Sequence, residues 1–241
     1  MTISNKKLVI LREGISEANF CNYGLASYLH KKILPKWTIK PIDLGGGVSI
    51  DNIVSVIINE VNFIGSSVTF STFIDYYATD FLKKYSVSTT EITNIERNVK
   101  NDILQRLQDQ DIHLTNEQLI VYIQLYEFEA LYFANLDIFC NESYPPNTQD
   151  RIKLMAIKPH LLEELKSCAN NPEMINNGED TAPSKRIAKY WKKYAVSEIK
   201  RITSRYFAQA CRSNDFLGIE QIRVKCPHFN AWLETLQRLD Q

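Results

Sequence analysis

Four acidic residues follow short apolar runs: Glu13 after Leu8-Val9-Ile10-Leu11, Asp75 after residues 70–74, and Glu127 with Glu129 after residues 119–125. If the runs are parallel strands, their carboxyl ends share one edge of a sheet, where acids far apart in sequence can converge. Clustered carboxylates repel and raise one another's pKa unless a cation compensates. Hard oxygen ligands with only four histidines in the chain suit Mg2+ or Mn2+, which take one or two carboxylates plus phosphate oxygens and water. The corresponding chemistry is metal-assisted attack at phosphorus, with Glu13 as ligand or as general acid/base if it lies within hydrogen-bond reach of the reacting oxygen. The plainer reading of any one of these acids is a solvated loop residue. Glu127 and Glu129 flank Phe128: on a strand both would face one side, whereas on a helix they would diverge, one supporting the helix N-terminus and one left for metal.

A second group lies at residues 176–186, where small polar residues lead through Pro183 into Ser184, Lys185 and Arg186, with Lys189 one turn on. Pro183 marks a helix start, and free N–H groups there favour an anion, so these four residues are candidates for binding phosphate or its transition state. The alternative is a capped helix with solvated bases. His228 with Cys226 beside it lacks a partner pair at zinc spacing and reads as structural. Phe229 and Trp232 read as core. Gly45-Gly46-Gly47 has neither P-loop nor dinucleotide spacing and reads as a turn.

Alternation of elements predicts how these groups are positioned. Strands are expected at residues 8–11, 37–44, 68–75 and 119–125, and helices from Ser16 to Pro35, at 51–64 and at 90–108. Strands that alternate with helices imply a parallel sheet with helices on its faces. Beyond about residue 140 the pattern turns helical, with helices expected from Pro183, at 194–211 and at 229–239. The fold class is thus α/β, a parallel sheet flanked by helices, with a core at 1–140 and a mostly helical extension at 141–241 packed on it. Of 241 residues 44% are hydrophobic and 23% charged, which excludes intrinsic disorder. Five scattered cysteines without a CxxC pair point to a reducing compartment, and no apolar run is long enough to span a membrane, so a cytoplasmic location is expected.

The residues Arg12-Glu13-Gly14-Ile15-Ser16-Glu17 resemble the glutamate motif of a Toprim domain, and Phe73-Ile74-Asp75-Tyr76-Tyr77 resembles its aspartate motif. Residues 124–131, 176–186 and 226–232 are similar to the signatures of a bacterial Toprim-like domain-of-unknown-function family (family four-two-seven-six). The resemblance implies a Toprim-like fold and a relation to Toprim nucleases of ATPase-linked phage-defence systems, which cut phosphodiesters of DNA or tRNA. Carried over by position, it makes Glu13, Asp75 and Glu127 catalytic together with Lys185, and Glu13, Asp75, Glu127 and Glu129 the ligands of Mg2+ or Mn2+. It implies an ABC/SMC-like ATPase and nucleic acid as partners, with a homodimer left open. The aspartate motif usually carries a second acid where this chain has Tyr77, so Asp80, Glu127 or Glu129 would have to substitute. A non-catalytic scaffold or sensor subunit that binds an ATPase and nucleic acid is the other expectation.

The formal charge is zero, from 28 Lys plus Arg against 28 Asp plus Glu, which excludes a uniformly basic coat. The sum conceals a division: residues 1–182 hold 16 bases and 23 acids, and residues 183–225 hold 11 bases and 3 acids. The basic stretch is expected either to line a groove for phosphates or to be a solvated helix face.

Overall fold

The computed structural model describes residues 6–45, 47–65, 67–77, 89–176 and 178–241; Asp80, Gly46 and Asn177 lie outside them. The chain divides into two compact units, one of Met1–Gly14, Leu29–Gln124 and Trp232–Gln241, the other of Ile15–Tyr28 and Leu125–Ala231. Neither unit is a single stretch of sequence.

The first unit carries a five-stranded parallel sheet of β1 (Lys7–Arg12), β2 (Thr38–Asp43), β3 (Val68–Asp75), β4 (Leu119–Ile120) and β5 (Ile123–Gln124). Strand β1 lies between β2 and β3, so Leu8 to Leu11 are fully buried, as a continuous apolar run in a parallel sheet requires. Crossover helices follow β2 and β3. They are α1 (Ile50–Ile64), capped by Ser49 on the Asn52 N–H, and α2 (Thr89–Gln108). The single strand expected at 119–125 is instead two short pieces, because the Thr72 hydroxyl takes the place of a ladder partner: it donates to the Tyr122 carbonyl and accepts from its N–H, both at 2.8 Å. Below the sheet Trp232 stacks on Tyr122 at 4.5 Å and on Phe73 at 5.4 Å, and its indole N–H donates to Ser71.

The second unit is helical. It contains α3 (Ile15–Phe20), continued by a π-helical turn at Cys21–Leu25, then α4 (Ala130–Ala134), α5 (Leu136–Glu142), α6 (Gln149–Lys166), α7 (Pro183–Tyr190), α8 (Ser197–Lys225) and the start of α9 (Pro227–Gln237). Phe20 packs against Phe128, Phe207 and Phe229, with ring centroids 5.4 to 6.4 Å apart. Helix α8 is two arms joined by a left-handed turn: Asn214, Asp215 and Phe216 have φ of 49°, 56° and 68°. Three successive non-glycine residues in that region are costly, and burial of Phe216 edge-on to Tyr28 at 5.5 Å offsets part of the cost. The arms meet at Gly218. No helix among the described residues is long and apolar enough to cross a membrane.

A Cβ on Gly218 would fall 2.5 Å from the Cys211 Cα, a backbone atom that cannot swing aside. Gly218→Ala is therefore expected to lower stability by about 1–3 kcal/mol, read as a lower urea midpoint with an unchanged slope. An unchanged midpoint would mean that the arms are not in this contact.

Candidate functional site

The register of β1 with its neighbours sets Arg12 opposite Asp43 on one side and Phe73 on the other. Glu13, the residue after β1, and Asp75, the last of β3, therefore reach the same carboxyl edge on adjacent strands about 4.8 Å apart. Both are nearly excluded from water, Glu13 at 7% and Asp75 at 8% exposure, in contrast to the solvated acids that end most strands. Asp43 closes β2 at the same edge, but it accepts from Arg12 at 3.1 Å and from the Gly45 N–H at 2.8 Å. Two buried carboxylates are a donor set that fits magnesium or manganese, with water and phosphate oxygens completing the shell. Among the described residues no group of three or more His, Cys, Asp or Glu is arranged to hold a metal, so a ligand set supplied wholly by side chains is not preformed.

Glu127 and Glu129 belong to the second unit, where they lie on neither a strand nor a helix but in the turn that leads into α4. Each carboxylate is held by the chain's own donors. Glu127 accepts from the Ser184 N–H at 2.8 Å and the Ser184 hydroxyl at 3.0 Å. It thereby caps α7, a helix preceded by Ala182, which has no capping side chain. Burial, and secondarily the charge of Glu129, raise the Glu127 pKa against the lowering effect of the Ser184 bonds. Glu129 accepts from the Tyr194 hydroxyl at 2.7 Å and pairs with Lys200 at 3.2 Å. Burial, then the charge of Glu129, push the Tyr132 and Tyr194 hydroxyls far up, so both remain neutral, Tyr194 as the donor to Glu129.

Of the residues expected to bind phosphate, Ser184 already holds an anion, the Glu127 carboxylate. Arg186 and Lys189 both pair with Glu164, at 2.5 and 2.8 Å, and Tyr190 donates to the same carboxylate at 2.8 Å. Burial raises the Glu164 pKa, but the bonds from Lys189, Tyr190 and Arg186 outweigh it and hold the carboxyl below its ordinary value. Lys185 alone of the four is exposed without such a pairing. The wider basic stretch behaves similarly, with Lys193 on Asp150, Arg201 on Glu198 and Arg205 stacked over Tyr23. Part of it is neutralised within its own unit.

Sequence reasoning overlooked Glu173. Its carboxylate is 2% exposed and accepts from the His228 and Phe229 N–H groups at 3.0 and 2.9 Å, capping α9 as Glu127 caps α7. A signal was present: Ala182-Pro183 and Cys226-Pro227 each open a helix with no Ser, Thr, Asp or Asn before the proline, so the acceptor has to come from elsewhere in the chain. Phe229 and Trp232 are core residues, as read from the sequence.

A family model described as "Domain of unknown function (DUF4276)" matches residues 12–237. No curated protein and no solved structure matches the chain.

The Glu173 cap has a pH signature. Burial raises this carboxyl above its ordinary value of 4.5 despite the two N–H bonds. The folded state then binds more protons than the unfolded state above that value, so the contribution of this group to stability grows as pH falls toward 4.5 and shrinks as pH rises. The stability difference between wild type and Glu173→Gln is expected to shift in favour of wild type from neutral pH to about pH 5, measured by urea titration at each pH. Glu173→Ala, which strands two buried donors, is expected to cost about 2–4 kcal/mol.

Proposed function

This chain belongs to the Domain of unknown function (DUF4276) family, and for it we propose a Toprim-like, divalent-metal-dependent nuclease that hydrolyses phosphodiesters of DNA or tRNA. The observation that carries the reading is the pair of buried carboxylates, Glu13 and Asp75, at the carboxyl edge of the adjacent strands β1 and β3. In parallel sheets that edge is where ligands bind. Glu13 and Asp75 would hold Mg2+ or Mn2+, which when bound supplies Lewis-acid polarisation of the phosphoryl oxygen and a more acidic water. Burial strengthens the interaction of these carboxylates with a cation over its value in water. Glu13, at the strand end that leads into Gly14, would exchange a proton with the attacking water or the leaving oxygen. Lys185 remains a candidate cation for phosphate. The four-carboxylate ligand set narrows to these two, because Glu127 and Glu129 are engaged by Ser184, Tyr194 and Lys200. An ABC/SMC-like ATPase partner and a role in antiphage defence rest on the family resemblance.

The second reading is a non-catalytic scaffold or sensor subunit that binds an ATPase and nucleic acid. The same engagement of Glu127 and Glu129 favours it, as does Tyr77 where a second acid is usual.

Purified protein is expected to nick plasmid DNA or cut tRNA with Mg2+ or Mn2+, and Glu13→Ala and Asp75→Ala are each expected to lower the rate by at least about 100-fold while retaining the wild-type circular dichroism spectrum. Equal rates in all three proteins would remove these residues from the chemistry. Calorimetric titration with Mn2+ separates the two readings: a scaffold binds none at this edge, whereas the nuclease binds it and loses it in either variant.

A further inference from the structure

With part of the basic stretch of the second unit paired internally, a different cluster stands out in the first. Residues 1–12 and 18–42 contain no Asp or Glu, yet they hold seven Lys and Arg. The fold brings part of this excess to a cleft of about 560 Å³ lined by Lys6, His30, Lys36, Trp37, Thr38 and Asp240. It lies at the amino ends of β1 and β2, where the Thr38 N–H donates to the Lys6 carbonyl at 2.9 Å. Seven residues separate Lys6 from Glu13 along an extended strand, a distance of roughly 23 Å, so the cleft is remote from the carboxylate edge.

Trp37 organises the cleft. Its indole is 5% exposed and donates to Asp240 at 3.1 Å, which commits one oxygen of the only side-chain carboxylate that lines the cleft among the described residues. The Lys6 ammonium sits 5.2 Å from the centre of its ring. His30 Nδ1 lies 3.1 Å from the Trp37 carbonyl. A carbonyl only accepts, so Nδ1 carries the proton, and Nε2 of the neutral, exposed ring is an acceptor. Lys36 is exposed beside them. The volume falls within the range of small-molecule sites, and lysines act on phosphate as point charges.

We propose that this cleft binds a phosphate group through Lys6 and Lys36, as a site separate from the carboxylate pair. Two sources share that chemistry: the backbone of a nucleic acid and a free nucleotide. Binding of a short fluorescein-labelled oligonucleotide to the full chain is followed by anisotropy in EDTA, which silences any divalent-metal site, over a series of salt concentrations. A second arm titrates ADP calorimetrically. Lys6→Ala and Lys36→Ala are compared with Lys225→Ala, an exposed lysine of the other unit. In the first arm each cleft variant is expected to weaken binding about tenfold at low salt and to reduce the slope of log K against log salt by about 0.9, with Lys225→Ala unchanged. A response of the ADP arm to the same two variants assigns the free nucleotide instead, and likewise sustains the site. Absence of binding in both arms overturns the proposal, as does binding that the cleft variants leave at wild-type strength. The hydrolase reading is judged by metal-dependent cleavage and this one by binding in EDTA with Lys225→Ala as the control, so failure of one and failure of the other give different results.

Discussion

A proline that opens a helix leaves the following N–H groups without an acceptor unless a neighbouring side chain supplies one. In the second unit neither Ala182 nor Cys226 can do so, and the requirement is met by carboxylates far away in sequence: Glu127 closes on Ser184, and Glu173 closes on His228 and Phe229. Each contact is local in geometry and long in sequence, so it fixes the course of everything between its ends. The segment from Glu127 to Ser184 includes α4, α5 and α6, whose packing must bring the ends together before either carboxylate is satisfied. Glu127, Pro183 with Ser184, and Pro227 with His228 and Phe229 fall in segments that carry the family resemblance, whereas Glu173 lies outside them. The residues that look like catalytic signatures include the hydrogen-bond framework of the helical unit.

The carboxylates divide by environment. Glu127, Glu129, Glu164 and Glu173 are bonded to donors of their own unit, and the direction of each resolved shift follows from whether burial or hydrogen bonding prevails: Glu127 and Glu173 rise, Glu164 falls. Glu13 and Asp75 differ in position. They end two neighbouring strands of a parallel sheet, the place where the architecture concentrates ligand binding. That contrast is why the functional reading rests on two acids.

The sheet was legible because a strand buried on both faces tends to be apolar, a constraint visible in Leu8 to Leu11, whereas β3 buries Thr69, Ser71 and Thr72 among its apolar residues. The limits of β3 and the first crossover helix follow from the same pattern. The division of the last strand was not legible, since Thr72 stands on another strand and only the fold shows its hydroxyl bonded to both Tyr122 backbone groups. The end of the first α8 arm was read correctly near Cys211, whereas the second arm was hidden, because Asn214-Asp215-Phe216 gives no glycine signal for a left-handed turn. At the site, residue types and strand ends pointed to Glu13 and Asp75. They could not reveal that Ser184, Arg186 and Lys189 already meet Glu127 and Glu164, because charge counted along a chain does not say which acids lie across from which bases.

The stack of Trp232 on Tyr122 and Phe73, with its indole bonded to Ser71, bears on how the molecule is made. The sheet unit takes its first strand from the start of the chain and this aromatic from residue 232, so a nascent chain that has completed all five strands still lacks a principal piece of their core. Until Trp232 leaves the ribosome, Phe73 and Tyr122 present an uncovered aromatic face. The sheet is therefore the unit whose completion waits on residue 232, and the one in which a product stalled before that residue would be most prone to self-association.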